Sequence, residues 1–209
     1  MTEQKRFSPK PGISGCFMSV LLVISFFLPR IWPSNVTVDS FNTVLIIIIL
    51  CFAVHIVRGT SALFFDHVWK NIGFSILWGI PVFNLLVVAS QFIWGNPAFM
   101  QTPLFTAFLI MFSVPAFCCY YFTVLWLFCR REKSLMVSTT ILDAVGLVYC
   151  LIRLADLVFL PLFTNAGKDI TDFVESMVSL SPIFSLLIYV LSIVNFAICA
   201  KIFSKEKTV

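Results

Sequence analysis

The chain has 209 residues, of which 60% are hydrophobic and only 11% charged, with a mean hydropathy of +1.01. An ordinary soluble domain carries about 25% charged residues, and one core cannot hide this much apolar surface, so the composition excludes a soluble globular protein and makes the bilayer the natural solvent. The net charge of +4 does not point to nucleic acid, because the basic residues fall in short clusters between apolar runs and form no stripe or recognition motif.

A hydrocarbon core of about 30 Å needs roughly 20 apolar residues in a helix. Taken in chain order, six runs meet or approach this requirement: 13–28, stopped by Pro29; 41–57, containing "VLIIIILCFAV"; 72–94; 104–129; 135–163, long enough to tilt or protrude; and 183–203. Each is continuous rather than alternating, so each reads as a helix that satisfies its own backbone and not as a barrel strand. The expectation is an all-α polytopic membrane protein with six transmembrane helices: a cytoplasmic tail at 1–12, a spanning domain at 13–203 and a cytoplasmic tail at 204–209. The basic N-terminus followed by a short apolar run resembles a signal peptide. No small-x-small cleavage site follows it, so it reads as a retained first helix.

Orientation follows from lysine and arginine in the short loops. With the N-terminus in the cytoplasm, that side holds eleven basic residues, from Lys5 to Lys207, against Arg30 and Lys168 on the other, with Arg153 inside the membrane. Both termini are therefore expected in the cytoplasm. Trp32, Trp69, Trp94 and Trp126 fall near the ends of the runs, where indole rings prefer the interface. In "KDITDFVESMVSLSP", Ile170, Phe173, Val174, Met177 and Val178 keep helical spacing while Asp169, Asp172 and Glu175 take another face. This predicts a short outer interfacial helix at about 169–178.

Few residues bear chemistry. "GISG", residues 12–15, looks like the nucleophile motif of an intramembrane serine protease, but that chemistry needs a histidine base. His55 and His67 are the only histidines, and neither lies in a later helix, so Gly12 and Gly15 read instead as sites of close packing or a flexible approach to the helix. The seven cysteines lie in or beside the apolar runs. Cys118 and Cys119 point two ways around a helix, so no metal site is expected. Cys16 and Cys129, next to basic residues, are palmitoylation candidates. Asn35 in "NVT" is a glycosylation candidate if the organism is eukaryotic. The tail "KEKTV" resembles a dilysine retrieval signal of endoplasmic-reticulum membrane proteins. His55, Arg58, Asp66 and His67 form a candidate polar group on the cytoplasmic face, with ordinary headgroup-layer residues as the alternative.

Polar residues inside the runs carry more weight, because they normally face the interior of a bundle. Asn84 lies near the middle of the third run, three residues after Pro81, and Gln91 lies further out; Asn195 is in the inner half of the sixth run, Pro115 interrupts the fourth, and Asp143 is read as complementing the start of the fifth helix. Arg153 and Asp156 are three residues apart, hence on one helix face. They are either a self-neutralised structural pair or, with Asn84 and Gln91, a site for a small solute or ion. No catalytic constellation and no cofactor motif is found, and no family resemblance emerges. The expected function is that of a non-catalytic membrane component (adaptor, assembly factor or subunit) whose partners are the lipid bilayer and other membrane proteins, with no nucleic acid. The alternative is a transporter or solute-binding subunit. The membrane would be the bacterial inner membrane, or the endoplasmic reticulum of a eukaryote.

Overall fold

A computed structural model describes residues 10–32, 36–60, 68–95, 102, 105, 109–128, 132–163 and 168–205. It is all-helical, with no strand among the described residues. The helices are α1 (Lys10–Ile31), α2 (Val36–Thr60), α3 (Val68–Trp94), α4 (Val114–Phe128), α5 (Lys133–Phe163), α6 (Lys168–Val178) and α7 (Ser181–Lys205). Among the described residues, four stretches are long and apolar enough to cross a membrane: Lys10–Ile31, Phe41–Thr60, Lys133–Leu157 and Glu175–Ile202. In the third and fourth runs the apolar helices are shorter, Ser75–Gln91 and Val114–Leu127.

The long helices pack in a closed ring, α1 against α2, α2 against α3, α3 against α4, α4 against α5, α5 against α7 and α7 back against α1; α7 also touches α4, and α6 lies against α5. Each buries one stripe at helical spacing. On α1 it is Gly12, Gly15, Met18 and Leu22; on α2, Leu45, Ile49, Ala53 and Ile56; on α5, Leu135, Thr139, Leu142 and Gly146. The opposite faces remain apolar and exposed, as with Ile13, Phe17, Val20 and Ile24 on α1. Such a surface is unfavourable in water and neutral in lipid, the inverse of a soluble bundle.

The tightest seam runs between α1 and α7. Gly15 lies against the ring of Phe196, and a Cβ on Gly12 would come within 2.7 Å of the Ala200 backbone nitrogen. The "GISG" glycines are therefore close-packing positions. Cys16, half-buried in the same seam, directs its Sγ to the Ile193 carbonyl at 3.7 Å. Residue numbers rise on α1 as they fall on α7, so the helices are antiparallel, and the Lys10 end of α1 and the Lys205 end of α7 share one end of the bundle. Phe196 anchors the interior by stacking on Phe122 at 4.6 Å and Tyr121 at 5.4 Å between ring centroids.

Of Pro29 and Pro115, both expected to interrupt their runs, only Pro115 does so. Pro29 does not stop α1, which runs on to Ile31. So close to a C-terminus its missing N–H removes a single bond, and Trp32 N–H still reaches the Leu28 carbonyl at 3.1 Å. The fourth run is not one helix. It is helical at 109–111, turns at Phe112 and Ser113, and restarts at Val114. Pro115 cannot bond back to residue 111, and the Ser113 hydroxyl accepts the Ala116 N–H at 3.4 Å as a cap for the new helix. The outer helix expected at about 169–178 is α6. Its Asp172, Glu175 and Ser176 form one exposed stripe, and Phe173 and Met177 another.

Candidate functional site

The outer half of α5 places Tyr149, Arg153 and Asp156 along one stripe of the helix, at spacings of four and three. Arg153 Nη1 donates to Asp156 Oδ2 at 3.1 Å, with the side chains 34% and 30% exposed. The pair thus neutralises itself within one turn, and its accessible edge lets both heads reach toward polar surroundings. One turn before it, the Tyr149 hydroxyl is in hydrogen-bonding reach of Ser113, at the restart of α4. From α7, Tyr189 lies within electrostatic reach of Tyr149.

Asn84 joins the same neighbourhood from α3 by another route. Its Nδ2 donates to the carbonyl of Ile80, one turn back, at 2.8 Å and to the carbonyl of Phe112 at 2.6 Å. Phe112 belongs to the break in the fourth run, where the Ala116 N–H that would serve its carbonyl in an unbroken helix is taken by Ser113. The Asn84 amide fills that place. Asn84 is thus bonded to the break and Arg153 to Asp156, with no direct bond between the two sites.

Asp143 lies ten residues into α5, beyond the first turn where a carboxylate complements the helix terminus. Its Oδ2 accepts from Thr123 Oγ1 of α4 at 2.7 Å instead. Cys119 makes a weak contact to the Leu142 carbonyl at 3.8 Å in the same α4–α5 seam, where Gly146 leaves room for its sulfur. Gln91 is exposed toward the end of α3; its backbone carbonyl accepts the N–H of Gly95, whose φ of +68° closes that helix. His55 and Arg58 are exposed on α2, one turn apart. Asp66, His67, Asn35 and Cys129 lie outside the described residues.

No known protein family, curated protein or solved structure matches this chain. Function has to be argued from the arrangement itself. That arrangement includes residues that sequence reasoning passed over. Ser113 was findable, because a serine two positions before a proline inside an apolar run is a helix-restart signal. Tyr149 and Thr123 carried no such signal, because a single hydroxyl in an apolar helix looks the same whether it bonds across helices or back to its own carbonyls.

Proposed function

We propose that the protein is a non-catalytic component of a membrane, acting through helix faces that contact lipid and other membrane proteins. It crosses the bilayer six times with both ends in the cytoplasm. The membrane is the inner membrane in a bacterium, or the endoplasmic reticulum in a eukaryotic cell. The observation that supports this reading is that several polar groups along the helices are engaged within the chain: Arg153 by Asp156, Asp143 by Thr123, Asn84 by two carbonyls and Ser25 by Asn42 at 2.8 Å. The exposed face of α1, with Ile13, Phe17, Val20 and Ile24, is made of large apolar side chains. The test is purification of the tagged full-length chain in mild detergent. A membrane protein present in stoichiometric amount, and lost when Phe17 and Ile24 of the exposed α1 face are changed to serine, is the expected result; a lone monomer unaffected by those changes counts against it.

A second reading, a carrier of a small solute, is favoured by the polar set that Ser113, Tyr149, Tyr189 and Arg153 place inside the bundle. Under it, Arg153→Leu with Asp156→Leu abolishes flux in reconstituted vesicles while leaving the protein folded. Normal function of the double variant removes this reading.

A further inference from the structure

Polar side chains in these helices find partners nearly everywhere. Beyond the cross-helix bonds already described, Thr60 and Ser192 return to carbonyls of their own helices. One zone differs. Ser19 Oγ on α1, Trp126 Nε1 on α4, Thr139 Oγ1 on α5 and both amide atoms of Asn195 on α7 are enclosed and bond to none of the described residues. Ser19, Thr139 and Asn195 are each no more than 2% exposed.

The contacts between helices fix the depth of each of these residues along the bundle. Gly15 and Phe122 both meet Phe196, the neighbour of Asn195, and Cys16 meets the Ile193 carbonyl. Ser19 is one turn beyond Cys16, toward the middle of the bundle. Thr139 is one turn before Asp143, which faces Thr123, and Trp126 is one turn after Phe122, so both fall toward the end that carries the chain termini. Asn195 lies between. Together these depths span about three helical turns, roughly 16 Å.

A polar atom without a partner is costly in any interior and more so where the surroundings are hydrocarbon. These atoms are enclosed by the bundle, so neither a lipid headgroup nor a helix of another protein reaches them. Only a small guest does. An amide that donates and accepts, two hydroxyls that do both and an indole N–H that donates match a neutral molecule with both capacities. Spread over three turns, they match more than one such molecule. We propose that the seam between α1, α4, α5 and α7 encloses a short file of ordered water molecules centred on Asn195. Toward the middle of the membrane the file meets the buried Ser192, one turn before Asn195 on α7. The file depends on neither functional reading; under the second it is the inner part of the solute's route.

The test uses the full-length protein, isotope-labelled on asparagine, in lipid nanodiscs. Magnetisation transfer from water to side-chain amides is recorded by NMR, with Asn195 assigned by the loss of its signal in Asn195→Leu. A water cross-peak at Asn195, and none at Asn84, whose amide is held by two carbonyls, is the expected result. An Asn195 amide without that cross-peak, and as slow in deuterium exchange as Asn84, overturns the file. Thermal unfolding gives an independent reading with both Asn195→Leu and Ser19→Ala, so that a poorly folding variant does not decide the matter alone. A hydrated seam loses bonds in either variant and unfolds at lower temperature. A dry one is relieved of an unbonded group and unfolds at the same or a higher temperature, which again overturns the proposal.

Discussion

Arg153 and Asp156 share one face of α5 and bond at 3.1 Å, so each supplies the charge that makes the other tolerable. The energetic consequence is asymmetric. Removing one partner leaves an unpaired charge in or near hydrocarbon, whereas removing both leaves a helix stripe like its neighbours. Arg153→Leu or Asp156→Leu alone is expected to destabilise the bundle by about 2–3 kcal/mol, and the double replacement by less than about 1 kcal/mol. Unfolding of the four proteins in detergent measures the cycle. A loss in the double variant equal to the sum of the two single losses would mean that the pair adds no coupling. The spacing alone was enough to read this pair from the sequence, because both partners sit on one helix. The partner of Asn84 was not legible in the same way, since a backbone carbonyl freed by a break in another helix leaves no pattern of side chains. The same limit applies to Asp143: the start of its helix was legible to within two residues, but its partner Thr123 on another helix was not.

At the scale of elements, the α1–α7 seam depends on missing side chains. A Cβ at Gly12 would meet Ala200 N at 2.7 Å and its Cα at 2.9 Å, which are backbone atoms that cannot step aside, and one at Gly15 would enter the Phe196 ring. Small residues at such crossings let helix backbones approach where lipid offers no hydrophobic drive for association. Gly12→Ala and Gly15→Ala are each expected to cost about 1–3 kcal/mol through overpacking. Gly79 in α3 is the internal control. Nothing lies within 4 Å of its Cβ position, so alanine there gains helix propensity of up to about 1 kcal/mol without a clash. Opposite signs for Gly79→Ala and the α1 variants in thermal unfolding support close approach; a common sign would indicate that propensity alone is being measured. Periodicity made α6 legible for a related reason, because its polar and apolar stripes are written in one short segment. The restart at Ser113 needed proline chemistry, serine capping and a partner helix considered together.

At the scale of the whole molecule, the antiparallel α1 and α7 bring the Lys10 and Lys205 ends to one side, as the distribution of lysine and arginine requires. The middle of the chain is the open part of the topology. α3 is about 40 Å long, more than the thickness of the hydrocarbon core, though its apolar stretch is the shorter Ser75–Gln91, whereas α4, at about 22 Å, is shorter than that core and needs the helical turn at 109–111 before its break to complete a crossing. Two arrangements follow: six crossings, or four with α3 and α4 forming a hairpin that enters and leaves on the side of the termini. Trp94, 70% exposed at the end of α3, separates them. Single cysteines replacing Trp94, Ser176 of α6 and Ser204 of α7 are treated with a membrane-impermeant maleimide in sealed cells, with the unmodified chain as background. Six crossings put Trp94→Cys on the same side as Ser176→Cys, so both react at once and Ser204→Cys reacts only after permeabilisation. If Trp94→Cys stays unreactive in sealed cells while Ser176→Cys reacts, the hairpin arrangement is correct, and Asn84 then holds together a re-entrant break rather than a crossing helix.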